Sequence, residues 1–97
     1  MSLDSVAVFQ KRLGELELSS LTNDFAERGW DTMGSFAFSS SYVPGQPTDE
    51  AFMAGVVDRI CVDRDSAMVP ALRRLFFEAY TQSAMEMRRR IKGLLEF

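Results

Sequence analysis

Three pairs of carboxylates, Glu15 with Glu17, Asp49 with Glu50 and Asp63 with Asp65, are the groups in this chain whose type and spacing suit acid–base chemistry. Two carboxylates do that work only when one of them is desolvated in a cleft, so that its pKa rises. Each pair falls in a connector or at a helix start, where solvated caps and loop charges are expected instead. Asp63-x-Asp65 opens like a calcium loop, but the glycine and the late glutamate of such a loop are missing. Histidine is absent, which removes the commonest general base, the commonest metal ligand and every nucleophile–histidine pair. The single cysteine, Cys61, follows Ile60 on an apolar run. A free cysteine there packs as a small hydrophobe, and only Arg59 and Arg64 lie close enough in sequence to lower its pKa. One cysteine also excludes a disulfide framework and a cysteine zinc site. No glycine-rich stretch matches a nucleotide fingerprint. The chain is therefore read as non-enzymatic, with no cofactor and no metal.

Binding chemistry is better represented. Arg88-Arg89-Arg90-Ile91-Lys92 holds four of the eleven basic residues, and on a helix these positions span more than a full turn, so they do not line one face. Cations near a helix C-terminus complement its dipole and keep an apolar stripe soluble; the alternative is a contact with phosphate or an acidic partner. Ile91, Leu94 and Leu95 are the apolar contacts of that end. Trp30, beside Gly29, either plugs the end of a bundle or anchors a partner. Tyr42, in Tyr42-Val43-Pro44, is the other exposed aromatic candidate. Met53 and Met87 fall on core stripes.

The elements that must position these residues belong to a small chain. Ninety-seven residues suffice for one domain, residues 1–97, and 46% hydrophobic with 26% charged residues is a globular balance. The net charge of −3 conceals a division. Residues 1–69 carry five basic and eleven acidic side chains, net −6, whereas residues 70–97 carry six and three, net +3. An acidic body opposes general nucleic-acid binding, while the basic end permits it locally. No apolar run is long enough for a membrane span, and no basic region precedes an apolar stretch at the N-terminus. With one free thiol, an intracellular, soluble protein is expected, cytoplasmic or nuclear. Met1-Ser2-Leu3 carries no structural signal and reads as a candidate expression leader.

The fold class predicted is all-α, a five-helix bundle in which four short helices pack against a long C-terminal one. Val6, Phe9 and Leu13 form a stripe behind an Asp4 cap, ended by Gly14; Ser19 or Ser20 caps a second helix through Leu21, Phe25 and Ala26, stopped by Gly29. Asp31 or Thr32 caps a short third, with Met33, Phe36 and Ala37 on its apolar face. The Ser39–Thr48 stretch, with Pro44-Gly45, is the longest loop. A fourth helix follows Thr48, its face formed by Phe52, Met53, Val56, Val57 and Ile60. Pro70 opens the fifth, over 70–95, with one stripe through Leu72, Leu75, Phe76, Ala79, Tyr80, Ser83, Met87, Ile91 and Leu94. A helix of about 26 residues is roughly 39 Å long, more than so small a globule spans, so its last turns should project.

The string Phe9-x-x-x-Leu13-x-x-Leu16-x-Leu18-x-x-Leu21-x-x-x-Phe25-x-x-x-Gly29-x-Asp31-Thr32 resembles the opening of a sterile alpha motif (SAM) domain. The resemblance covers residues 9–37. The Ser39–Thr48 loop is longer than that family's usual link, and the leucine-glycine step before the last helix is missing. It implies protein–protein or self-association, with nucleic-acid binding in some members. Tyr42-Val43-Pro44-Gly45 and residues 72–80 are also similar to uncharacterised helical segments of protist mobile-element or viral proteins, which implies no function.

Together these residues predict an interaction module, part of a larger protein, that self-associates or binds a protein partner through the fifth helix. The contact expected is head-to-tail, the basic end of one molecule on the acidic body of another. The alternative is nucleic-acid association through the same basic helix.

Overall fold

The computed structural model describes residues 3–95, without the side chain of Leu95. All of its regular structure is helical, and there is no strand among the described residues. Helix α1 spans Val6–Glu15, a 3-10 turn at Ser19–Leu21 leads into α2 at Thr22–Glu27, and α3 spans Met33–Ala37. Glu50–Phe52 begins a composite helix, α4, which widens to a π-helix over Met53–Val57 and closes as a 3-10 turn at Asp58–Ile60. The long helix α5 runs Met68–Leu95 and packs mainly on α3. The architecture is the predicted one, four short helices against a long last one.

The caps explain where these elements begin. Ser5, not Asp4, caps α1, its hydroxyl accepting the Val8 N–H at 3.2 Å. Thr32 caps α3 in a reciprocal box with Ser35, which holds so short a helix by satisfying its first donors. The Thr48 hydroxyl accepts the Glu50 N–H at the start of α4. The Ser66 hydroxyl and carbonyl accept from Met68 and Val69, so α5 begins two residues before Pro70.

One device ends three of the helices. Leu18 and Glu17 donate to Leu13 and Gly14, Trp30 and Gly29 to Phe25 and Ala26, Val62 and Cys61 to Val57 and Asp58. This is the Schellman pattern, which needs a left-handed residue just past the helix. Glycine supplies it after α2, at φ 75°, but Glu17 and Cys61 take it at φ 60° and 58°. Cys61 is therefore turned out to solvent instead of packing with the apolar run before it, a correction to the sequence reading. A side chain in this conformation costs about 1–2 kcal/mol, partly offset by glycine's larger loss of entropy on folding. Cys61→Gly is expected to stabilise the fold by about 0.5–1 kcal/mol, read from urea unfolding midpoints; a destabilised variant would contradict the exposed placement.

The core is aromatic. Phe9, Phe25, Phe36, Phe52 and Phe76 are fully buried, and their rings form a chain. Phe36 lies 5.1 to 5.9 Å from Phe9, Phe25, Trp30 and Phe76, and Phe76 passes the contact on to Phe52 and Tyr42, each at 5.6 Å. Leu3 belongs to the fold despite its featureless sequence context. It packs against this core and its carbonyl accepts the Gly34 N–H at 2.9 Å. Gly55 lies so near the Ser39–Thr48 loop that an added Cβ would fall 2.6 Å from the Ser40 Cβ, so glycine is what lets α4 and the loop close together. The molecule measures 49 × 33 × 20 Å, its length set by α5.

Candidate interaction surface

Helix α5 is fastened to the body over its first half. Arg12 on α1 makes paired hydrogen bonds to Glu78, Nε to Oε1 and Nη2 to Oε2, both 2.7 Å. Arg73 pairs with Asp49 at the start of α4. The buried side of α5 comprises Val69, Leu72, Leu75, Phe76, Ala79 and Ser83. Past Ser83 no residue of the helix is buried among the described residues. The last turns project, as the length of the helix predicts.

Glu78 is held below the usual carboxylate range, first by the hydrogen bonds from Arg12, against desolvation, with the charges of Arg12 and Arg74 adding to the effect. A carboxylate with a depressed folded pKa stabilises the fold above its unfolded value of about 4.3 and loses that contribution as pH falls through the folded pKa. Glu78→Gln is expected to lower stability at neutral pH and to flatten its decline below about pH 4.3. Thermal melts across that range check this, and parallel profiles for the two proteins would contradict it.

Helix α5 presents apolar side chains to solvent: Phe77, on the outer face of the packed half, is 57% exposed, and past Ser83 Met87 is 52%, Ile91 54% and Leu94 72%. Met87 thus leaves the core stripe on which the sequence placed it. Among the cations, Arg89 and Arg90 share Glu86 at 3.3 Å, and Arg88 makes no ion pair among the described residues. Lys92 is exposed on the same turns. The Leu95 side chain and Phe97 lie outside the described residues. Ile91 and Leu94 are therefore brought together with Arg88, Arg89, Arg90 and Lys92 on one projecting segment.

Trp30 and Tyr42 are not part of that segment. Trp30 follows the Schellman turn of α2, and its ring packs edge-on against Phe25 at 6.0 Å with the Arg28 guanidinium 5.8 Å from its centroid. Half-buried, it closes the end of the bundle. Tyr42 is not the exposed aromatic that its loop position suggests, because its ring is half-buried on Phe52 and Phe76. The accessible edge of Trp30 lines an open cleft of about 690 Å³ with Arg28, Arg59 and Ser39, Ser40 and Ser41. Sequence reading did not single out this cleft, because its residues come from three separate segments.

The carboxylate pairs sit where solvated charges were expected. Glu15 lies 3.5 Å from Arg12, Asp49 pairs with Arg73, and Glu50 pairs with Arg64 at 3.1 Å. Asp63 accepts the Asp65 N–H in an exposed turn. Arg64 also binds Asp58 at 2.7 Å and holds that carboxyl below its ordinary pKa, chiefly by hydrogen bonding. No group of three or more cysteine, aspartate or glutamate side chains is placed to hold a metal ion among the described residues. No helix among them is long and apolar enough to cross a membrane. Neither a protein-family model, nor a curated protein, nor a solved structure matches the chain.

Proposed function

We propose that the chain is a non-enzymatic interaction module that self-associates or binds a protein partner through the projecting end of α5. The observation that carries this is the exposure of Met87, Ile91 and Leu94 on a helix that leaves its own core behind at Ser83. A contiguous apolar surface of this kind on a small domain marks a site of association. The SAM-like spacing of residues 9–37 points the same way. The solvent-facing thiol of Cys61 suits a reducing, intracellular compartment.

Light scattering at low and high salt tests the reading. A mass above that of one chain at high concentration is expected, and a strict monomer in both conditions would sink it. Arg88, Arg89 and Lys92 share an arc of about 100° while Arg90 lies on the other side of the helix, so the four cations do not form one groove-tracking face and suit a charged rim better. The chain is therefore expected to bind duplex nucleic acid weakly. Strong binding that falls steeply with salt, and that Arg88/Arg89/Arg90→Ala abolishes, would establish the nucleic-acid reading instead.

A further inference from the structure

Helix α5 carries two apolar stripes. The first, through Leu72, Leu75, Phe76, Ala79 and Ser83, is buried in the body. The second runs Phe77, Tyr80, Ala84, Met87, Ile91 and Leu94, and its spacings alternate three and four without a break. At 3.6 residues per turn it lies about a quarter turn around the helix from the first. Packing against one body requires one such stripe. A strict three-four alternation is instead the seam of a coiled coil. Phe38, itself exposed, adds to its body end by packing edge-on at 6.1 Å against Tyr80, whose other side rests half-buried on the body core.

Resting on the reading above that the end of α5 is an association surface, we propose that this seam is occupied by the same seam of a second copy of the chain, running antiparallel. In that pairing Phe77 lies opposite Leu94, Tyr80 opposite Ile91, and Ala84 opposite Met87. Reversing the seam maps it onto itself, so all six positions are used and a two-fold axis closes the pair. The aromatic end at Phe38, Phe77 and Tyr80 covers the aliphatic end at Ile91 and Leu94.

Charge selects the direction. A parallel pair would bring Arg88, Arg89, Arg90 and Lys92 of both chains to one end, with helix axes about 8–10 Å apart, comparable to the screening length of about 8 Å at physiological salt. The antiparallel pair separates the two clusters and lays each beside the other chain's body, where residues 1–69 carry a net charge of −6. Beside the seam, Arg88 then faces Thr81 of the second copy, and the basic cluster meets no like charge there.

Disulfide trapping tests the pairing on the full chain. In a Cys61→Ser background, Phe77→Cys and Leu94→Cys chains are mixed and oxidised, both substitutions lying at exposed positions. A disulfide needs Cα atoms about 4.4–6.8 Å apart. Like positions at residue 94 are about 26 Å apart in the antiparallel pair but adjacent in a parallel one. The expected result is a covalent dimer joining one chain of each kind, as the dominant product. A dominant Leu94→Cys homodimer would overturn the antiparallel pairing while leaving the association reading intact. An unsubstituted protein that is oligomeric, with no cross-link in the mixture, would overturn the seam and place association elsewhere. A strictly monomeric protein would overturn both.

Discussion

Phe36→Ala should destabilise the fold more than any surface substitution in the chain. The ring is completely buried and touches Phe9, Phe25, Trp30 and Phe76, so it joins α1, α2, α3 and α5 at one point. Truncating a buried phenylalanine costs about 3–5 kcal/mol through lost transfer energy and the cavity left behind. Each edge-to-face pair adds about 0.5–1.5 kcal/mol beyond the area it buries. A domain of this size has about 5–15 kcal/mol in all, so the loss consumes much of it. The melting temperature is expected to fall by roughly 15–30 °C, followed by circular dichroism. Phe38→Ala, two residues on, removes a ring that is mostly exposed and should change the melt little. Equal effects at the two positions would refute the ring chain as the centre of the fold.

The second large effect is on association, with no cost to the fold. Ile91→Asp places a charge in the middle of the projecting stripe, at a side chain that touches no part of the body core. Losing a buried isoleucine costs about 1.5–3 kcal/mol, and a two-fold pair loses it twice. Association is expected to weaken by roughly a hundredfold or more, while the melting temperature of the dilute protein stays unchanged. Sedimentation equilibrium with a parallel melt separates the two outcomes. A variant that associates as well as the wild type would remove Ile91 from the surface.

Much of the fold was legible because each short helix carries its own punctuation. Thr32 and Ser35 mark α3, Gly29 closes α2, and the apolar spacing of Phe52 to Ile60 marks α4 even though its backbone widens over Met53–Val57. Cys61 was misread because an apolar neighbour suggests burial. Its position is instead decided by the left-handed turn that ends α4, a turn that glycine usually advertises and here does not. Tyr42 was misread for the opposite reason. It lies in a polar loop, and only the close approach of Ser40 to Gly55 brings that loop onto Phe52 and Phe76.

The candidate surface was half legible. Helix length and the position of Ile91 and Leu94 already predicted a projecting end, but a single stripe from Leu72 to Leu94 merged two faces of the helix. Burial separates them, because Ser83 is enclosed while Met87, one turn later, is half-exposed. Phe77 and Ala84 were missed. The unbroken three-four spacing from Phe77 onward is the signal that locates them, and it becomes meaningful once Leu72, Leu75 and Phe76 are assigned to the body.

Hydrogen exchange at the last turns of α5 tests most directly whether they are an association surface. A helix end of about a dozen residues without tertiary packing is marginal in water, so in the free chain the amides after Ser83 exchange far faster than those of Leu72 to Ala79. As protein concentration rises, exchange at residues 86–94 is expected to slow while the body amides stay as they were. Exchange at those residues that is equally fast at every concentration would contradict the account.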